Sequence, residues 1–347
     1  MRDHFAPRVS WEERRWLWNE RWLHAVFTSR PGIKLLIAIL CGLPLLAVIL
    51  TCLPLLAMLP LMRSLPDPEG PFIVGVHDFE CELPSGAVRI RMWYPADPNS
   101  QSRRAKWLPE PATKYAIGYW MTTGLPRWLA RWAAMPATWK LAPAALRNDA
   151  KPCPPPGASD GWPVTVFSHG LLGCAAAYSV LCAEVASYGS VVLAIEHADG
   201  SAVYTERSSK PIPFQATRPA TQADDASWRV IQVQQRASEI VELISEMSSS
   251  DVPISADAGV LNHGYLDFAR LTLMGHSFGG ASVLQAVAGL ALQAKDYSPP
   301  PASAIASAST ELRSALPTVP RVAALVLLDA WLEGCRCACL LLACPPA

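Results

Sequence analysis

An α/β fold, a mainly parallel sheet with helices on both faces preceded by one transmembrane helix, is what the 347-residue sequence predicts. Three observations predict it. Four short apolar runs, Pro163 to Phe167, Ser190 to Ile195, Leu271 to Met274 and Val322 to Leu328, have the length of strands. The first three each lead into a segment that reads as a helix, and strands alternating with helices give a parallel sheet covered on both sides. Ahead of all four, an apolar block between Ile33 and Met62 carries one charge, Lys34.

The helices fall at Ala175 to Tyr188, Ala226 to Met247 and Phe278 to Gln293. The middle one repeats Ile231, Ala237, Ile240, Val241 and Ile244 at helical intervals. Upstream, Phe72 to Glu80 and Ala87 to Tyr94 flank Leu83-Pro84-Ser85-Gly86, a turn-rich break that predicts an antiparallel hairpin opening the sheet. Residues 96 to 162 mix Pro, Trp and Ala without a strand period, and the run from Lys151 to Gly157 cannot continue a helix or a central strand. This stretch is expected to be an irregular cap or lid. Residues 198 to 225 and 295 to 320, rich in Ser, Pro and Ala, are expected to be surface loops.

About 20 apolar residues cross a bilayer's hydrocarbon. A span from Leu35 to Leu56 meets that length, and prolines such as Pro44 and Pro54 are tolerated in such helices. Six arginines precede the block, and only Arg63 follows it before Arg89. The positive-inside rule then leaves the N-terminus in the cytoplasm and sends the rest of the chain to the luminal or extracellular side. A cleaved signal peptide is the competing reading, although its apolar core usually runs only about 7 to 15 residues. Trp11, Trp18 and Trp22 beside Arg14, Arg15 and Arg21 suit either a helix lying among lipid headgroups or a Trp-rich polar flank.

Lys+Arg and Asp+Glu both number 29, so no net field recruits nucleic acid. Of the ten cysteines, Cys41 and Cys52 lie in the apolar block, and Cys335, Cys337, Cys339 and Cys344 crowd the C-terminal tail. The remaining four are too scattered to fix a redox compartment. The alternate-residue spacing of the tail does not match zinc patterns, so no metal is expected, and nothing in the sequence calls for a cofactor.

The chemistry sits in Gly275-His276-Ser277-Phe278-Gly279, which follows an apolar strand and opens a helical run. That is the context of a nucleophile elbow, a tight turn that lifts the Ser277 hydroxyl above the sheet of an α/β-hydrolase. The segment Val166 to Gly173 ends an earlier strand in a Gly-containing loop where this fold supplies one backbone N–H of an oxyanion hole, with Leu171 the candidate. Read blandly, it is a strand-to-helix turn. The second donor is the N–H of Phe278. Asp329, in Leu327-Leu328-Asp329-Ala330-Trp331, ends the next strand, where a triad acid belongs.

Four motifs in order, Phe167 to Gly173, Ile195 to Ser201, Gly275 to Gly280 and Leu327 to Trp331, resemble the platelet-activating factor acetylhydrolase family of the plasma and intracellular type II kind. Weaker similarity at Arg91 to Pro95, Trp107 to Pro109 and Gln232 to Ala237 extends the resemblance over residues 71 to 331. The family implies a calcium-independent phospholipase A2 that removes short or oxidised sn-2 acyl chains, with phospholipid or another ester as substrate. It also implies Ser277 as nucleophile, Asp329 as acid, and Leu171 and Phe278 as oxyanion donors. Glu196 and His197 match a family segment and are read as structural.

The pattern then breaks. In this fold the triad runs Ser, Asp, His, yet His4, His24, His77, His169, His197, His263 and His276 all precede Asp329. His263 belongs at the opposite edge of the sheet, and His276 sits in the elbow and cannot reach round to Ser277. His169 and His197 lie at suitable strand ends but on other loops. The tail after Trp331 resembles neither the family nor an ordinary element, and a coding sequence cut short, frameshifted or unspliced is expected. The organisation is therefore a basic, Trp-rich flank (1–32), a signal anchor (33–62), a hydrolase domain incomplete at its C-terminus (63–331) and a Cys-rich tail (332–347). Two further readings remain, a general carboxylesterase and an inactive, membrane-tethered hydrolase fold.

Overall fold

The computed structural model of the chain describes residues 65–124, 126, 128–131, 143, 146–157, 161–221, 224–249, 252–255, 259–261, 265–296 and 322–328, with seven positions between 32 and 46. The chain divides into two units, Met1–Arg63 and Ser64–Ala347. In the first, Gly32, Lys34, Ile39, Leu40, Gly42, Leu43 and Leu46 are helical, and Ile39, Leu40, Leu43 and Leu46 expose their side chains. Among the described residues no helix is long and apolar enough to cross a membrane, and most of the expected span, Leu35 to Leu56, lies outside them.

The second unit opens with the expected hairpin. β1 (Ile73–Cys81) and β2 (Val88–Ala96) pair antiparallel in continuous register from Ile73 opposite Ala96 to Cys81 opposite Val88. Gly86 closes the turn between them at φ +113°, a left-handed conformation open to glycine, and donates to the Leu83 carbonyl at 2.8 Å. α1 (Ala112–Met121) and β3 (Leu146–Asn148) follow, then β4 (Trp162–Ser168), a 3-10 turn at Ala175–Tyr178, α2 (Ser179–Ser187) and β5 (Val191–Glu196). A small hairpin, β6 (Tyr204–Arg207) with β7 (Lys210–Pro213), precedes the long α3 (Asp225–Met247). A second small hairpin, β8 (Val252–Ser255) with β9 (Gly259–Leu261), precedes β10 (Leu266–His276), α4 (Phe278–Asp296) and β11 (Val322–Leu328).

Seven strands form one sheet in the order β11-β10-β4-β5-β2-β1-β3. The pairs β11–β10, β10–β4, β4–β5 and β1–β3 are parallel, and only β2 runs against its two neighbours. β5 shows why the central strands are apolar throughout. Val191, Leu193 and Ile195 share one core with residues of α3 and α4, while Val192 and Ala194 share another with residues of α2. A strand covered on both faces has no solvent side for a polar residue to occupy. α3 meets the sheet through Ala237, Ile240, Leu243, Ile244 and Met247, spaced to keep one stripe inward. Its first turn is capped by the Asp224 carboxylate, which accepts the Ser227 N–H at 2.7 Å.

Two sequence expectations change. Residues 96 to 162 are not all cap, because β3 joins the main sheet beside β1 with Leu146 buried, and three residues carry too little pattern to announce a strand. Residues 198 to 225 are not all surface loop, because Asp199, Ser201, Ala202, Val203, Tyr204 and Thr205 are buried. Asp199 and Ser201 find hydrogen-bond partners inside the fold, a circumstance that composition does not reveal. β10 also begins five residues before the apolar run, its register shifting between Asp267 and Leu271 where Ala269 and Arg270 turn outward. Asp329, His263, most of 295 to 320 and the tail 332–347 lie outside the described residues.

Leu193 is fully buried at the centre of the sheet. Leu193→Ala is expected to lower unfolding free energy by about 2–5 kcal/mol, read from urea denaturation with an unchanged slope.

Candidate active site

One residue, Ser277, separates the end of β10 from the start of α4, and it does so at φ +51°. A non-glycine residue in that region carries a cost of about 1–2 kcal/mol that the surroundings must offset. They do so by close packing. A Cβ on Gly275 would run into the Gly279 carbonyl, and one on Gly279 would run into the carbonyls of Ser168 and His169, so both positions must stay bare. The Ser277 N–H donates to the Leu328 carbonyl at 2.8 Å, tying the turn to the end of β11, and its own carbonyl accepts from Gly280 N–H at 2.9 Å. The serine thus stands at a helix N-terminus, the end whose field favours developing negative charge. Its hydroxyl has no hydrogen-bond partner among the described residues, and Asp329, next after Leu328, lies outside them.

The loop after β4 faces this turn. A Cβ on Gly170 would stand 3.4 Å from the Ser277 Cβ and 3.0 Å from the His276 Nδ1, which locates the loop directly against the elbow. Gly170 N–H donates to the Tyr178 hydroxyl at 3.1 Å, and that hydroxyl meets His276 Nδ1 at 2.8 Å. The hydroxyl accepts from the amide, and its link to His276 Nδ1 runs in the direction that the imidazole tautomer sets. Leu172, at φ +60°, donates its N–H to the Ser201 carbonyl at 2.8 Å, and Gly173 N–H returns to the Gly170 carbonyl at 3.0 Å. Between these satisfied neighbours, the Leu171 N–H has no partner among the described residues, and its side chain is exposed. Phe278, the other expected donor, is buried at the first position of α4.

Beneath the loop lies a polar cluster that the sequence does not announce. Arg236, fully buried, donates from Nη1 to the His169 carbonyl at 2.7 Å and from Nε to Asp199 Oδ2 at 3.1 Å and the Ser201 hydroxyl at 2.9 Å. Its guanidinium lies over the Phe278 ring, 4.7 Å from the centroid. Beside it, His197 joins the Ser168 hydroxyl through Nε2 and the Glu239 carboxylate through Nδ1, both at 2.8 Å. These three side chains are wholly buried, so Ser168 meets no substrate. Glu239 also accepts from Arg207 at 3.1 Å and Gln235 at 3.0 Å. In α3, Gln232, Arg236 and Glu239 are buried at helical spacing ahead of Leu243, a burial that the sequence of the helix does not show. Charged residues on an inward stripe need partners, and the partners come from distant loops.

Each described histidine is committed elsewhere than Ser277. His77 meets Asp149 at 2.7 Å, His169 Nδ1 meets the Gly170 carbonyl at 2.8 Å, and His197 and His276 are bonded as above. Glu196 accepts the Ala175 N–H at 2.7 Å, so it and His197 serve the fold. Among the described residues no group of three His, Cys, Asp or Glu is arranged to hold a metal ion.

Burial dominates the ionisation of this cluster. It pushes the Glu196 carboxyl up to about 8 and Glu239 up to about 7, and it holds His169 and His197 well below the usual histidine range, with Arg236 acting in the same direction. Folded Glu196 therefore keeps a proton that the unfolded chain releases from about 4.5 upward, so its contribution to stability is lost as pH rises toward 8. The two histidines act oppositely, and their contribution is lost as pH falls below 6.5. Melting temperature is expected to be highest where the two effects offset, between about 4.5 and 6.5, and Glu196→Gln to flatten the alkaline side of the profile, as followed by circular dichroism across that window and on to the Glu196 value of about 8.

Known proteins resemble much of the chain. The family model described as platelet-activating factor acetylhydrolase, isoform II, matches residues 61–294. The platelet-activating factor acetylhydrolase of Cavia porcellus is 28% identical over 242 residues, covering 64% of this chain and 52% of the relative. That of Gallus gallus is 27% identical over 251 residues, covering 64% and 56%. The chain spans about half the length of these curated relatives. A solved ferulic acid esterase from Streptomyces cinnamoneus superposes at a TM-score of 0.44 with 17% identity, covering 65% of this chain and 58% of its own. With the family model matched across more than half of its length, the chain belongs to the platelet-activating factor acetylhydrolase, isoform II, family.

Proposed function

We propose that the chain is a membrane-anchored serine hydrolase of carboxylic esters that removes short or oxidised sn-2 acyl groups from phospholipids. The observation that carries this reading is the left-handed turn at Ser277, which faces a loop whose Leu171 N–H has no partner among the described residues. Ser277 Oγ attacks the acyl carbonyl, and the N–H groups of Leu171 and Phe278 receive the tetrahedral oxyanion. Loss of one such donor typically costs about 3 kcal/mol of transition-state stabilisation. The lysolipid alcohol leaves, and water then releases the acyl group from Ser277. Asp329 is the triad acid of this reading, and the base that takes the serine proton and returns it to the leaving alcohol is none of the four described histidines, each of which is hydrogen-bonded elsewhere.

One observation favours a second reading, an inactive tethered hydrolase fold. The four described histidines, His77, His169, His197 and His276, are each hydrogen-bonded to groups other than Ser277. The two readings separate on covalent labelling. Incubated with a fluorophosphonate, the full chain is expected to take up one equivalent on Ser277 and to cleave a short-acyl phosphatidylcholine in preference to a soluble aryl ester. Ser277→Ala loses both. An unlabelled wild-type chain would establish the inactive fold, and a preference for the aryl ester would make the enzyme a general carboxylesterase.

The exposed helical residues Ile39, Leu40, Leu43 and Leu46 support a lipid-facing segment within the apolar block. In sealed microsomes the hydrolase domain is expected to stay with the membrane through alkaline carbonate washing and to resist added protease until detergent is supplied. Removal of residues 1–62 releases it.

A further inference from the structure

The reaction proposed above needs two backbone donors, on separate loops, to converge on one oxygen. Leu171 lies after β4 and Phe278 opens α4, and more than a hundred residues of chain separate them. Tenths of an ångström in their separation matter, because the donors must be placed before charge develops. Something has to register one against the other.

We propose that Arg236 is the positioning residue of the oxyanion hole, setting the Leu171 and Phe278 amides in register from beneath. The geometry brackets Leu171 on both sides. On one side, Arg236 Nη1 holds the His169 carbonyl at 2.7 Å, two residues before Leu171. On the other, Leu172 N–H is held by the Ser201 carbonyl at 2.8 Å, and the Ser201 hydroxyl is itself held by Arg236 Nε at 2.9 Å and by Nη2. The same guanidinium plane rests on the Phe278 ring at 4.7 Å. One rigid, planar cation therefore touches the supports of both donors.

Its own place is fixed from below. Asp199 Oδ2 accepts Nε at 3.1 Å, and Gln232, one turn earlier on α3, donates to the Asp199 carbonyl at 2.8 Å. An arginine suits this site because its fork can bond several oxygens in one plane while a face remains for an aromatic ring. A lysine can pair with Asp199 but cannot also span His169 and Ser201 or stack on Phe278.

The bland alternative is a buried ion pair that only holds the core together. Arg236→Lys on the full chain in detergent separates the two. Positioning predicts a fall in kcat of about 10- to 100-fold with KM within about two-fold, and a matching loss of affinity for a trifluoromethyl ketone analogue of the substrate. A core role predicts loss of melting temperature without that split. Because Arg236→Met alone would strand Asp199, the paired change Arg236→Met with Asp199→Asn removes both charges together and should show the same kcat loss. Wild-type kcat in the folded paired variant would overturn the proposal.

Hydrogen exchange gives a readout that needs no turnover. In Arg236→Lys, amides of residues 169–173 and 277–279 should exchange faster while β4 and the rest of α3 keep their protection. Exchange that rises evenly along α3 and the sheet, or stays unchanged in both loops, would overturn the proposal. Localised exchange in Arg236→Lys beside a wild-type chain that shows no turnover would sink the hydrolase reading and leave the positioning of the two loops standing.

Discussion

The turn from β10 into α4 leaves a single residue to reverse the chain's direction, and much of the neighbouring structure is arranged around that constraint. Ser277 takes a left-handed conformation because no spare residue exists to relax it. Gly275 and Gly279 lack side chains because the backbone on either side of the turn closes to contact with itself and with the end of β4. The Leu328 carbonyl then receives the Ser277 amide, so the last described strand is registered to the same point. Strain of this kind persists only where the surroundings over-determine it, and here two strands, a helix and a facing loop do so together.

A second tier of order lies under the first. The buried cluster of Arg236, Asp199, Ser201, His197, Glu239 and Ser168 is drawn from α3, from the segment after β5 and from the end of β4. Charges placed this deep are costly unless each polar atom is met, and most are. At its margin two are not: His169 Nε2 and Glu196 Oε2 face each other at 3.9 Å without a hydrogen bond. Burial favours the protonated carboxyl at Glu196 and the neutral ring at His169, so neither carries an unpaired charge near neutral pH.

Much of this was legible in the sequence, and the reasons for the rest are physical. The strands of the central sheet announced themselves because burial on both faces demands unbroken apolar runs, and α3 because one buried stripe demands a helical period. The elbow was legible because a tight turn restricts composition, forcing glycine at 275 and 279. β3 was not, since three residues beside β1 carry no period. Arg236 and Glu239 looked like ordinary helix residues, because what makes them buried is supplied by loops with no pattern of their own.

Ser168, His197 and Glu239 form a hydroxyl–imidazole–carboxylate relay with both links at 2.8 Å. A geometric template built from the connectivity of serine hydrolases would select Ser168 and pass over Ser277. The difference between the two serines is access: one is sealed at the end of β4 under α3, and the other stands partly exposed at the mouth of a turn. Connectivity among side chains is therefore an insufficient definition of a catalytic group in this protein, and solvent exposure has to enter the definition beside it.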